Sequence, residues 1–170
     1  MRNILFFILF STSFLSSATV YNFSKRIDEK DSKYDVMVSV SESMIMVTNR
    51  DEPSASFKDL APICKNDERS RLSLLHFDIG DLTIRSMNNI VFISYIVDCT
   101  DQIPKVKYVA IYQGEEYVLQ GDARVIPANY EWNKINERKF NPIANNNLSN
   151  NTDLLEHMIM SWPSQSILIR

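Results

Sequence analysis

The stretch that most constrains this 170-residue chain is Asn89-Ile-Val-Phe-Ile-Ser-Tyr-Ile-Val-Asp98, which leads into Cys99. Seven of its ten residues are apolar, and most are β-branched or aromatic. The run is too short to cross a membrane, so it reads as a strand buried on both faces and as the centre of a sheet. Around it lie Leu72 to Phe77, Leu82 to Arg85, Val106 to Tyr112 and Tyr117 to Leu119, each bounded by turn residues. That spacing is expected of an antiparallel meander and not of βαβ units.

Upstream, Tyr34, Val36, Val38 and Val40 alternate with polar residues and Met37, the period of a half-buried strand. Met44 to Thr48 continues it past a bulge or returns as a hairpin arm, and Asn49 to Asp59 is expected to be a loop. Asp78-Ile79-Gly80-Asp81 reads as a turn, as does Gln113-Gly114. Downstream, the Asn-rich 145–151 segment is expected to be a flexible loop. Thr152 or Asp153 is placed to cap a short helix bearing Leu154, Leu155, Met158 and Ile159, with Pro163 ending it. Ser166 to Ile169 follows as a last strand, placed to pair back into the sheet. The fold class expected is mainly β (α+β): an antiparallel meander or barrel-like sheet of five to eight strands with a short C-terminal helix and an N-terminal hydrophobic helix.

That N-terminal segment sets the compartment. Arg2 precedes the wholly apolar Ile4 to Phe10, and serines and threonines then dilute the hydrophobicity. Residues 1–23 are a signal-anchor, with Ile4 to Phe23 spanning the membrane, or a signal peptide in which Ser16-Ser17-Ala18 presents small residues to a peptidase. Residues 24–33 read as a charged connector, and 34–170 as a single extracytoplasmic domain. Two cysteines in an exported chain usually pair, and a Cys64 to Cys99 bridge would staple the loop before the meander to the end of the central strand.

Chemistry is hard to find. Lys and Arg number 18 against 21 Asp and Glu, scattered along the chain, which argues against nucleic acid. The three glycines form no phosphate loop. His76 and His157 sit in no catalytic pattern. Asp78 and Asp81 lack the spacing of a calcium loop, and Glu115 and Glu116 are neighbours on a strand start and point to opposite faces. No catalytic, cofactor or metal site is therefore expected, and the chain is read as no enzyme. What remains is surface for another protein: Met37, Met44, Met46, Met158 and Met160 as core filler or an adaptable apolar face, and Tyr108, Tyr112 and Tyr117 as a candidate partner surface near the Gln113-Gly114 turn.

The basic tip, the hydrophobic segment from Ile4, the charged stretch with Lys25 and Arg26, the β-rich domain with Cys64 and Cys99 and the helix and strand from Asp153 to Ile169 form a layout. It resembles the small membrane-anchored accessory proteins of bacterial virulence and fimbrial gene regulators, the ToxS and MyfF/PsaF types. The resemblance implies a single-pass inner-membrane protein whose periplasmic domain binds and stabilises that of a partner regulator, without nucleic acid. The alternative is a soluble exported immunity or inhibitor protein that neutralises a toxin or enzyme.

Overall fold

The computed structural model describes residues 19–26, 33–49, 56–66, 68–82, 87–100, 102–126 and 141–169. Two antiparallel sheets and a helical layer account for most of them. The first sheet has the order β1-β2-β3-β4, from Thr19–Arg26, Lys33–Ser41, Met44–Asn49 and Phe57–Leu60. The second has the order β10-β8-β7-β6-β5, where β5 is Arg71–Leu82, β6 Met87–Asp98, β7 Lys105–Tyr112, β8 Glu115–Asp122 and β10 Ile143–Ala144. Helices α1, Asn146–Ser149, and α2, Thr152–Gln165, complete the fold together with a parallel ladder of β9, Arg124–Ile126, and β11, Ile167–Ile169.

Strand β6 is the wall between two cores. Val91, Ile93, Tyr95 and Val97 pack with Val36, Val38, Ile45, Val47 and Phe57 of the first sheet. Ile90, Phe92 and Ile96 face the other way, into a core with Tyr108, Leu154, Met158 and Trp162. A strand covered on both sides has no use for polar alternation, which is why its sequence is almost continuously apolar. The mainly β, antiparallel fold with a C-terminal helix is as expected, although the strands form two stacked sheets and not one.

Several local expectations are corrected. The 78–81 stretch is no turn: β5 runs through it, with Ile79 opposite Val91 and Gly80 opposite Ile90. Register shifts at Leu74/His76 and Gly80/Leu82 produce the break in alternation that resembles a turn. Gly80 also leaves room for Phe92, whose ring stands 3.1 Å from where a Cβ would be. Within the expected loop 49–59, Phe57 begins β4 and pairs with Val47. Pro163 does not end α2; it sits on the exposed side of the last turn, where one missing helix bond costs little. The last strand, β11, pairs in parallel with β9 and not with the five-stranded sheet.

The Asn-rich 145–151 segment is built into the structure. The Asn145 side-chain oxygen accepts from the Leu148 amide at 2.9 Å and the Val118 amide at 3.1 Å, while its amide group donates to the Glu116 carbonyl. One side chain thus caps α1 and stands in for a ladder neighbour of β8, which a group with both donor and acceptor can do. Asn151, and neither Thr152 nor Asp153, caps α2.

At the N-terminus, β1 pairs with β2 from Thr19 opposite Val40 to Arg26 opposite Lys33. Residues 19–23 of the hydrophobic segment and 24–26 of the charged connector therefore belong to the first sheet. Thr19-Val-Tyr-Asn-Phe-Ser has a strand period that average hydrophobicity hides. Lys33, the last residue of the connector, opens β2, and the rest of both expected segments, 1–18 and 27–32, lies outside the described residues.

Candidate functional site

Two features stand apart from ordinary core packing. The first is a polar pin between the sheets. Asp59, on the inward side of β4, accepts a hydrogen bond from the Tyr95 hydroxyl of β6. The same carboxylate oxygen takes the Lys107 Nζ of β7 at 2.5 Å. Tyr95 and Lys107 are cross-strand partners, so both reach the carboxylate from one face of the sheet. Burial, reinforced by the bond to Asp59 and the charges of Asp59 and Glu116, pushes the Tyr95 phenol far above its ordinary range. It remains a donor, not a base. Glu116 faces the same side from β8; desolvation of its carboxyl and the charge of Asp59 raise it, Lys107 opposes, and Glu115 adds to the rise, even though much of the side chain is exposed. With its Oδ2 accepting from both donors, Asp59 ties the two sheets together. Sequence reading missed Asp59, because β4 is four residues inside a polar run; the Phe57-x-Asp59 alternation was its one signal.

The second feature is the outer face of the first sheet. Val36, Val38, Ile45 and Val47 point into the core, so the alternate residues Met37, Met44 and Met46 stand on the opposite side, half-buried, beside the exposed Lys58 and Leu60. The methionines divide accordingly. Met158 is core filler, Met160 is exposed on α2, and Met37, Met44 and Met46 share one sheet face, with Met44 and Met46 on β3 and Met37 diagonal to Met46 on β2, opposite Thr48.

The tyrosines behave differently. Tyr108, Tyr112 and Tyr117 do share a face, but it is the one covered by the helices. Tyr108 is buried against Phe92, with ring centroids 6.0 Å apart, and burial pushes its phenol up to about 12, while a hydrogen bond with Ser161 pulls it down and Asp78 adds to the rise. Tyr112 and Tyr117 are half-buried against the same core. As a candidate partner surface Tyr108 is thus corrected: cross-strand packing under α2 takes it.

His157 packs on Phe92 at 5.3 Å, and His76 is exposed on β5 opposite Ser94. Asp78 accepts from the Ile79 amide and Asp81 from the Asn89 amide, both serving the irregular backbone of β5 and β6. Glu115 accepts from Asn147 on the helix side while Glu116 faces the pin, the opposite orientations that strand alternation requires. Among the described residues no three His, Cys, Asp or Glu side chains come together as metal ligands.

Cys64 and Cys99 form a disulfide, with Cα atoms 6.0 Å apart. The bridged loop is also stitched by backbone bonds: the Cys64 amide to the Glu68 carbonyl and the Ser70 amide to the Pro62 carbonyl. Comparison with known proteins returns no matching family model, curated protein or solved structure.

Proposed function

We propose that this chain is a non-enzymatic extracytoplasmic accessory protein that docks the envelope domain of a partner membrane regulator on the methionine face of its first sheet and stabilises it. The observation that carries this reading is the group of Met37, Met44 and Met46, turned away from a core that the neighbouring valines and Ile45 already fill. Methionine is flexible and polarizable, so such a face can repack against apolar partner surfaces of differing shape. The layout resemblance supplies the class of partner, a transcriptional regulator of virulence or fimbrial genes. Because β1 claims residues 19–23, the tether would be residues 4–18.

A second reading is a soluble exported immunity or inhibitor protein. It is favoured by one detail: β1 begins at Thr19, directly after Ser16-Ser17-Ala18, so cleavage there would release the domain with its first strand whole. Two measurements separate the readings. The tethered accessory predicts an intact mass that includes Met1 to Ala18, and a regulator that decays several-fold faster when this chain is deleted. A mature protein starting at Thr19, with the regulator's lifetime unchanged, selects the soluble form.

A further inference from the structure

We infer that the end of the domain carrying the Cys64–Cys99 bridge lies against a lipid surface, with Leu60, Ile63 and Ile103 at the interface. The inference rests on the tethered reading above.

The topology gathers three things at this end. Thr19, where the chain enters the sheet, pairs with Val40, two residues before the Glu42-Ser43 turn. The Ser43 carbonyl accepts from the Ala61 amide at 2.8 Å and the Glu42 carbonyl from the Leu72 amide at 2.9 Å. Leu72 in turn pairs with Val97, two residues before Cys99. Chain entry, hairpin turn and disulfide therefore share one end of the sandwich.

The exposed apolar side chains concentrate there. Leu60 is 59%, Ile63 72% and Ile103 62% exposed. Val125 and Ile169 lie on the β9–β11 ladder, which leaves from the same end, where the Ala123 amide bonds the Pro104 carbonyl. Among the described residues, three of the eight most exposed large apolar side chains, Leu60, Ile63 and Ile103, thus sit at the end where the chain enters the sheet. Exposed aliphatic residues scattered singly need no explanation, but a cluster where a hydrophobic segment joins the domain does.

With β1 starting at Thr19, no charged connector separates the hydrophobic segment from the sheet. Ile4 to Ala18 would reach about 22 Å as a helix, against about 30 Å of hydrocarbon. A short segment without a linker draws its domain onto the bilayer, and apolar side chains at the junction make up the mismatch. Three such side chains are too few to hold a free protein on a membrane; a tether keeps them at high local concentration. The adjoining loop carries Lys65, Arg69 and Arg71 against Asp67 and Glu68, so no anionic lipid is required.

The test uses the full chain in phosphatidylcholine vesicles whose acyl chains are brominated near the headgroup, with a fluorescent amino acid at position Ile63, Ile103 or Gln113. Gln113 lies at the β7–β8 turn, the far end of an eight-residue strand, about 25 Å away. The positions are exposed, and an unchanged melting temperature verifies the fold of each chain. The probes at Ile63 and Ile103 should lose about half their emission or more, as expected for side chains at the headgroup boundary, while the Gln113 probe is unaffected. Chains that float with the vesicles but show no quenching at Ile63 overturn the inference and leave the tether standing. Quenching relieved only by exclusion from lipid when a partner domain is added supports it, whereas a probe dark to lipid and shifted only by that domain marks a protein site and overturns it. Chains that fail to float overturn both.

Discussion

Tyr95, fully buried in β6, donates its hydroxyl to Asp59 of the facing sheet, so the two sheets are joined by a hydrogen bond to a carboxylate as well as by apolar contact. Lys107 neutralises that carboxylate, and the pair is only partly solvated. Tyr95→Phe removes the donor while keeping the ring packed against Phe57, and should cost about 1.5–3 kcal/mol, the range for a bond to a charged group. Denaturant unfolding measures it. A double-mutant cycle with Asp59→Asn should show strong coupling; additive effects would mean that the two groups act independently.

The two-core arrangement makes a second prediction. Phe92 and Ile93 are sequence neighbours that serve different cores, so Phe92→Ala should cost about 3–5 kcal/mol and Ile93→Ala about 2–5 kcal/mol, each opening a cavity in its own layer. Near-UV spectra should show the first loosening the helix side and the second the sandwich. An unchanged melting temperature for either would mean that β6 is not the shared wall.

Much of this was legible in the chain, and the reason is physical. The continuous apolar run at β6, the Gln113-Gly114 turn and the cysteine pair each have a simple cause: two-sided burial, positive φ at both turn residues, and a chain with only two cysteines to join. The misses share another cause. Asn145 gains its order from amides of β8, far away in sequence, and β5 passes through Asp78 to Asp81 because β6 imposes a ladder on it. Tyr108 lies under a helix that local pattern cannot place over it. The pin escaped notice since Asp59 meets Tyr95 and Lys107 only once two sheets are stacked.

Removing the disulfide should be costly but not fatal. Cys64 and Cys99 are 35 residues apart, and closing a loop of that length contributes about 3–4 kcal/mol in the chain-entropy model. Since backbone bonds at Pro62 and Glu68 also hold the loop, a Cys64→Ser/Cys99→Ser chain should fold with a lower unfolding midpoint and unchanged far-UV spectrum. A midpoint equal to that of the bridged protein would rule out the staple.

Alkaline pH should loosen the fold through its tyrosines. Burial raises Tyr95 and Tyr108 above the ordinary 10.0, so the folded protein holds these protons more tightly than the unfolded chain. Both contributions are fully present below about pH 10; that of Tyr108 is lost as pH rises through about 12, and that of Tyr95 only at higher pH. Phenolate absorbance should show Tyr108 ionising late, near about pH 12, and Tyr95 ionising only with unfolding. Tyr108→Phe should reduce the pH dependence of stability above pH 10, and an unaltered slope would contradict the linkage.

The proposed docking face is tested most directly by a photoreactive amino acid at Met46, with Gln113 as control, in cells that also make the membrane regulator proposed as its partner. The account predicts a covalent adduct between position 46 and the regulator's envelope domain, and none from position 113. Adducts that are absent at 46, or no stronger there than at 113, would contradict it.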